Sequence, residues 1–203
     1  MKKVITLSVL ALITFFAKGQ TEKNNWLMGG SLGFTSSTQK ESDVSGSSNT
    51  SVFQVTPGIG RFFMNNLAAG ISLNLTSSHS SSSGGSISGT TTYFTAGPFA
   101  RCYFNASPHV KLFVHGDASW GSEKYSYNSG SGNDQGQPGN PITIYEGKAG
   151  VAFFLNPHVA LEVTAGYQSM TETDKTGGTP VKYTTGSVVA GIGFQIYLGP
   201  SKK

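Results

Sequence analysis

The sequence predicts an all-β chain closed into an eight-stranded antiparallel up-and-down transmembrane β-barrel. Three observations lead there. After residue 19 no segment sustains a helical period, whereas apolar residues fall at every second position in one stretch after another. Charged residues are only 12% of the chain, where a soluble domain carries about 25%. Short Asn-containing turns alternate with long polar stretches, so that every strand reverses and the long connections gather at one end.

Taken in order, residues 1–19 (MKKVITLSVLALITFFAKG) hold two lysines, an apolar run from Val4 to Phe16, and the small residues Ala17 and Gly19. They read as a secretory signal peptide, since the run falls short of a spanning helix of about 20 residues. Residues 20–203 remain as a single barrel domain. No cysteine follows the apolar run, which argues against a lipid anchor, and the single Cys102 has no partner for a disulfide. Removing Lys2, Lys3 and Lys18 leaves 11 Lys and Arg against 10 Asp and Glu. The basic character therefore belongs mostly to the export segment. With no basic patch interleaved with aromatics, nucleic acid is excluded as a partner.

Strands are predicted over 25–35, 51–63, 67–76, 91–104, 109–120, 142–154, 158–169 and 183–198. The first carries Trp26 near its start. The second (VFQVTPGIGRFF) and the fourth hold Pro57 and Pro98, each of which removes a ladder donor, so β-bulges are expected there. The third sets Leu67, Ala69, Ile71, Leu73 and Leu75 against Ala68, Gly70, Ser72, Asn74 and Thr76. The fifth sets Val110, Leu112, Val114 and Trp120 against Lys111, His115, Asp117 and Ser119. The sixth contributes Glu146 and Lys148. The seventh sets Val159, Leu161, Val163, Ala165 and Tyr167 against Ala160, Glu162, Thr164, Gly166 and Gln168, and the eighth sets Val188, Ala190, Ile192, Phe194, Ile196 and Leu198 against Val189, Gly191, Gly193, Gln195 and Tyr197. One face is apolar; the other is small, polar or charged.

A soluble lipocalin-like barrel would put the apolar face inside and a dense charge outside. Glycines make a poor soluble surface but suit a crowded lumen, so the apolar face is assigned to lipid. Trp26, Phe62, Phe63, Tyr103, Phe104, Trp120, Phe153, Phe154 and Tyr167 near the strand ends are read as an interfacial girdle. Long loops are expected over 36–50, 77–90, 121–141 and 170–182.

The repeated stretches RFFMNNLAAGISL, RCYFNASPHVKLFV and AFFLNPHVALEV, the turns around Asn65, Asn105 and Asn156, and the last strand VVAGIGFQIYL resemble the small eight-stranded outer-membrane β-barrel proteins of Gram-negative bacteria, the OmpX-like and OmpA membrane-domain-like group. The resemblance covers the whole chain after the signal. It implies outer-membrane location with periplasmic termini, a monomer, insertion by the barrel-assembly machinery and interior ion-pair networks. It departs from the usual pattern by ending in Gly199–Lys203 rather than a terminal aromatic.

The lumen network is expected from Arg61, Arg101, Lys111, His115, Asp117, Glu146, Lys148 and Glu162, because charges in a low-dielectric interior must pair. Glu162 is expected beside Lys111 or Arg101. His115 and Asp117 lie two apart on one face, which makes no catalytic motif by itself. No His/Cys cluster has metal spacing and no glycine run has a strand–turn–helix setting, so catalytic, metal and cofactor residues are all expected to be none. Tyr125, Tyr127 and Tyr145 mark the third long connection as the place to contact an extracellular ligand. The leading expectation is a side-chain-filled barrel acting in envelope integrity or surface interaction. The alternatives are a lipid- or hydrophobe-handling barrel, including a lipid-modifying hydrolase, and a soluble secreted binding barrel.

Overall fold

The computed structural model describes residues 21–199 apart from 41–46, 83–87, 129–134, 138 and 175–179; the signal peptide expected over 1–19 lies outside the described residues. The strands are β1 (Trp26–Lys40), β2 (Ser47–Met64), β3 (Leu67–Ser82), β4 (Ser88–Ser107), β5 (Val110–Asn128), β6 (Gln135–Gln137), β7 (Pro141–Asn156), β8 (Val159–Asp174) and β9 (Val181–Leu198). Each long strand pairs antiparallel with its neighbours in sequence, β5 passing to β7, and β9 returns to β1 to close the ring. The short β6 pairs only with the outer end of β5, from Tyr125↔Gln137 to Tyr127↔Gln135. The fold is the eight-stranded up-and-down barrel.

The phases read from the sequence set the two faces. Outward residues such as Leu32, Ile71, Val114, Leu161, Val163 and Ile192 are exposed, whereas Phe62, Ala68, Phe113, Ala152, Glu162 and Tyr197 are buried inside. The eight long strands run 15 to 20 residues, although about 9–11 suffice to cross a bilayer. Much of what reads as long loop is strand: β5 continues to Asn128 and β8 to Asp174. In these outer extensions Ser, Thr and Gly carry the ladder without alternation. Thr50 and Ser80 hydroxyls lie 3.1 Å apart there, as do those of Thr171 and Thr184.

The repeat noticed in the sequence has a structural cause. In each copy a register shift precedes the turn, at Phe62/Met64, Asn105/Ser107 and Phe154/Asn156. Asn66, with φ 66°, adopts the left-handed conformation that asparagine tolerates well. The carbonyl closing each turn accepts from a buried aromatic of the adjacent strand: Tyr103 N–H to Asn66 O at 2.8 Å, Phe154 N–H to His109 O at 2.8 Å, and Tyr197 N–H to His158 O at 2.7 Å. Phe62 N–H donates likewise to Asn25 O at 2.9 Å. The four rings form a plug at the turn end, with Phe154 and Tyr197 centroids 4.9 Å apart and Phe62 and Tyr103 5.8 Å apart. Ala68, Ala152 and Ala160 leave room for them.

Two expectations need correction. Phe62, Tyr103 and Phe154 were assigned to the outer girdle, but adjacent residues of a strand face opposite ways. Their neighbours Phe63, Phe104 and Phe153 face out, while they plug the lumen. The bulges expected at Pro57 and Pro98 are absent: β2–β3 and β4–β5 keep the same register on either side, each omitting only the two pairs around the proline. On its other side Pro57 pairs with Gly30 and Pro98 with Ile71. Skipping a rung on one side is a smaller disturbance than inserting a residue.

Candidate functional site

The charged residues of the lumen sit above the aromatic plug on β4, β5, β7 and β8. Arg101 Nη1 donates to both oxygens of Glu162, at 2.9 and 2.8 Å, and to Tyr103 Oη at 3.2 Å. Tyr197 Oη donates to Glu162 at 3.4 Å and lies 3.0 Å from Tyr103 Oη. Arginine carries only donors and an ionised carboxylate only acceptors, so the two phenols complete a closed ring of hydrogen bonds. Phe113 presents its ring to the guanidinium at 4.4 Å. Gly150 allows this, because a Cβ there would collide with the Phe113 ring. Arg101 and Glu162 are 7% and 2% exposed, a burial that only a satisfied pair tolerates.

A second set continues toward the loops. Cross-strand register places Arg101 opposite His115, His115 opposite Lys148, and Asp117 opposite Glu146. Arg101 Nε donates to His115 Nδ1 at 3.2 Å, His115 Nε2 lies 3.2 Å from Asp117 Oδ1, and Lys148 forms an ion pair with Glu146. The His115 ring stacks on Phe99, centroids 5.3 Å apart.

Potential ligand atoms of His115, Asp117 and Glu146 all lie within 4.8 Å of one another, a spacing compatible with a metal ion. Their hydrogen bonding is not compatible. Because Arg101 Nε is always a donor, His115 Nδ1 must accept, and the ring proton resides on Nε2 facing Asp117. A metal at Nε2 would need that lone pair free and would move a proton onto Nδ1, against the arginine. The same tautomer leaves no ring nitrogen to take a proton from a serine such as Ser119, which instead meets Thr95 Oγ1 at 3.0 Å. The cluster is a hydrogen-bonded relay of fixed polarity.

Of the expected network, Arg101, His115, Asp117, Glu146, Lys148 and Glu162 come together in the lumen. Two do not join it. Arg61 faces outward, with its guanidinium 5.8 Å from the Trp26 ring and Nη2 donating to Asn24 Oδ1 at 3.3 Å. Lys111 points inward but at the turn end, where Nζ donates to Asn105 Oδ1 at 2.5 Å; Arg101 alone meets Glu162. Tyr145 is not a loop residue: it faces out from the middle of β7, opposite Ala118 and Ser169, and is 56% exposed. Tyr125 lies on the outer extension of β5, and the side chain of Tyr127 lies outside the described residues. Sequence reasoning missed Tyr103 and Phe113 as partners of the ion pair. Their signal was available, since Tyr103 follows Arg101 by two and Phe113 precedes His115 by two.

A small, partly open cavity of about 40 Å³ lies beside the pair, lined by Gly29, Ser31, Thr56, Ser72, Arg101 and Glu162 among others, with room for little more than water.

No protein-family model matches the sequence, and no curated protein matches it. Among solved structures the chain is similar to Neisserial surface protein A, at 15% identity and a TM-score of 0.46 over 85% of this chain and 96% of that one. It is also similar to the N-terminal β-barrel domain of Pseudomonas aeruginosa OprF, at 12% identity and a TM-score of 0.41 over 87% and 98%. The translocator domain of the Neisseria meningitidis autotransporter NalP aligns at 13% identity and a TM-score of 0.44 over 96% and 69%. The likeness is one of fold.

Proposed function

We propose that this protein is an integral outer-membrane β-barrel, monomeric and plugged by its own side chains, whose biological contacts are made by the projecting outer ends of its strands and their connections. The observation that carries this reading is the inversion of the usual soluble pattern. Leu32, Phe34, Ile71, Val163 and Ile192 stand 53–71% exposed on the outside, Phe34 the most at 71%, while the Arg101–Glu162 pair is buried within. A soluble monomer does not expose a continuous apolar belt of this kind, whereas lipid requires one. The closed backbone ladder of the turn-side half meets the other demand of a bilayer, that peptide groups be satisfied internally.

The filled lumen argues against a porin, since open aqueous channels belong to barrels of about 16 strands. The fixed tautomer of His115 argues against hydrolysis within the lumen. An envelope role fits the proposed location and the lumen filled by side chains at the turn end among the described residues, and partners are expected at the extracellular ends.

The test is refolding into vesicles that contain brominated lipid. Trp26 and Trp120 both face outward, at 45% and 50% exposure, so bromine should quench both, and the folded protein should migrate faster unheated than boiled. A folded, unquenched, water-soluble monomer sinks the reading. Stable nanosiemens-scale openings in planar bilayers would sink its plugged lumen.

A further inference from the structure

The barrel wall is not closed along its whole height. β1 pairs with β9 only from Trp26↔Leu198 to Leu32↔Ile192. On their other sides the ladders go on, β1 with β2 to Lys40↔Ser47 and β8 with β9 to Asp174↔Val181. Above Leu32 and Ile192 no further β1–β9 pair forms among the described residues, and two strand edges stand apart.

The split begins inside the apolar belt. Six residues separate Trp26 from Leu32, roughly 14 Å of height for a strand tilted about 45°, against a belt about 25 Å tall. Its rims are themselves apolar and outward: Leu32 and Phe34 on β1, Val188 and Ile192 on β9, with Val188 85% exposed. Unpaired peptide N–H and C=O groups in hydrocarbon cost several kcal/mol each, so this edge calls for a polar partner that arrives from the lipid side or the lumen.

Two concavities meet at Leu32. One is an outer groove of about 430 Å³ walled by Leu32, Phe153, Leu161, Val163, Ile192 and Phe194, with the backbone of Gly30, Glu162 and Gly193 also lining it, and its surface is almost wholly apolar. The other lies in the split, lined by Leu32 and Gly33 of β1, Ala190 and Gly191 of β9, and the lumen residues Gln54, Glu146, Lys148 and Thr164. Glycine keeps it open, for a Cβ on Gly33 or Gly191 would find only ordinary contacts at 3.4 Å or beyond.

We propose that the split between β1 and β9 is a side port that takes up a single-chain amphiphile with an uncharged, hydrogen-bonding head group from the bilayer. The chain lies in the outer groove, and the head reaches Gln54, Thr164 and the open strand edges. An uncharged head is required because Lys148 is already neutralised by Glu146, which leaves no free cation for a carboxylate. A hydroxyl, both donor and acceptor, matches an edge that offers both. This inference rests on the membrane reading above, and its tests separate the two.

The geometry is tested in bilayers on a Cys102→Ser background. Met28→Cys with Ile196→Cys joins paired positions, while Phe34→Cys with Ala190→Cys joins positions that would pair if the ladder continued. The first pair should form a disulfide readily and the second should not; equal cross-linking overturns the port. Binding is tested by amide NMR shifts of Gly33, Thr164 and Gly191 during titration with monolauroylglycerol, with laurate and dodecane alongside. Saturable shifts with monolauroylglycerol are expected, about tenfold weaker for laurate and dodecane and about tenfold weaker when Gly191→Trp or Gly33→Phe fills the port. Tighter laurate binding overturns the head-group assignment. Binding that survives both filling variants overturns the site. A wild-type chain that never becomes heat-modifiable in bilayers sinks the membrane reading instead.

Discussion

The two halves of this barrel obey opposite rules. Toward the turns the bore is filled: Phe62, Tyr103, Phe113, Phe154 and Tyr197 pack across it, and Arg101 and Glu162 bind each other and two phenols. Toward the loops the lining is mixed, with Ser, Thr, Gln and Gly beside the buried Ile142 and Ile144, the wall parts between β1 and β9, and carboxylates collect at its rim. The difference teaches where stability and function reside. The turn half holds the barrel shut, and the loop half is left free to meet something.

The sharpest way to break the comparison is to unpair the buried charge. Arg101→Met leaves Glu162 alone at 2% exposure and should cost about 3–5 kcal/mol. Arg101→Met with Glu162→Leu together should recover most of that loss. Urea unfolding of the vesicle-folded protein, followed by tryptophan emission, reads both. A double variant as unstable as the single would mean that the ring of phenols, rather than the charges, holds the half together.

Next in size is the lipid face. Val163→Arg, midway along the outward face of β8 between Val159 and Tyr167, should destabilise by about 2–4 kcal/mol, whereas Thr92→Arg, one outward position beyond Phe94, should change stability by less than about 0.5 kcal/mol. Equal effects in the same unfolding assay would erase the boundary between the halves. Smaller again is Tyr197→Phe, which removes the hydroxyl between Tyr103 and Glu162 and should cost about 1 kcal/mol. No loss there would show that Arg101 satisfies Glu162 unaided.

The turn half was legible in the sequence because an apolar outside and a filled inside impose a strict period of two. That period placed Glu162, His115 and Asp117 inside and Leu161 and Val163 outside. It misled where two aromatics stand side by side, as at Phe62–Phe63 and Phe153–Phe154, since hydrophobicity does not say which of two neighbours faces out, and it misplaced the adjacent Arg61, which faces outward against Trp26. The loop half was illegible for a physical reason. Residues 77–82 or 121–128, rich in Ser, carry no apolar alternation, yet their backbones still pair. The open seam left no local mark either, because closure joins the first strand to the last and no window of sequence contains both.

The smallest effect belongs to the rim of the loop half. Glu123 lies past the belt, between the outward polar residues Ser122 and Lys124, and Asn140 Nδ2 donates to it at 3.2 Å and to Glu172 at 2.9 Å. Partial burial first, then the hydrogen bond and charge of Glu172, push Glu123 up to about 7, with Asn140 opposing and Asp174 adding to the rise. A carboxyl raised in the folded state lends stability that is fully present below its ordinary value and is lost as pH rises through about 7. The outer ends of β5, β7 and β8 should therefore loosen on going from about pH 5.5 to about pH 8, while the turn half does not respond. Amide exchange in bilayers, corrected for intrinsic rates, should show protection falling at Tyr125 and Glu172 but holding at Phe113 and Val163. Glu123→Gln should remove the dependence, because the remaining carboxylate then has an amide for a neighbour instead of a charge. A pH response that persists unchanged in Glu123→Gln would assign the titration to another group and leave the rim with no switch at this position.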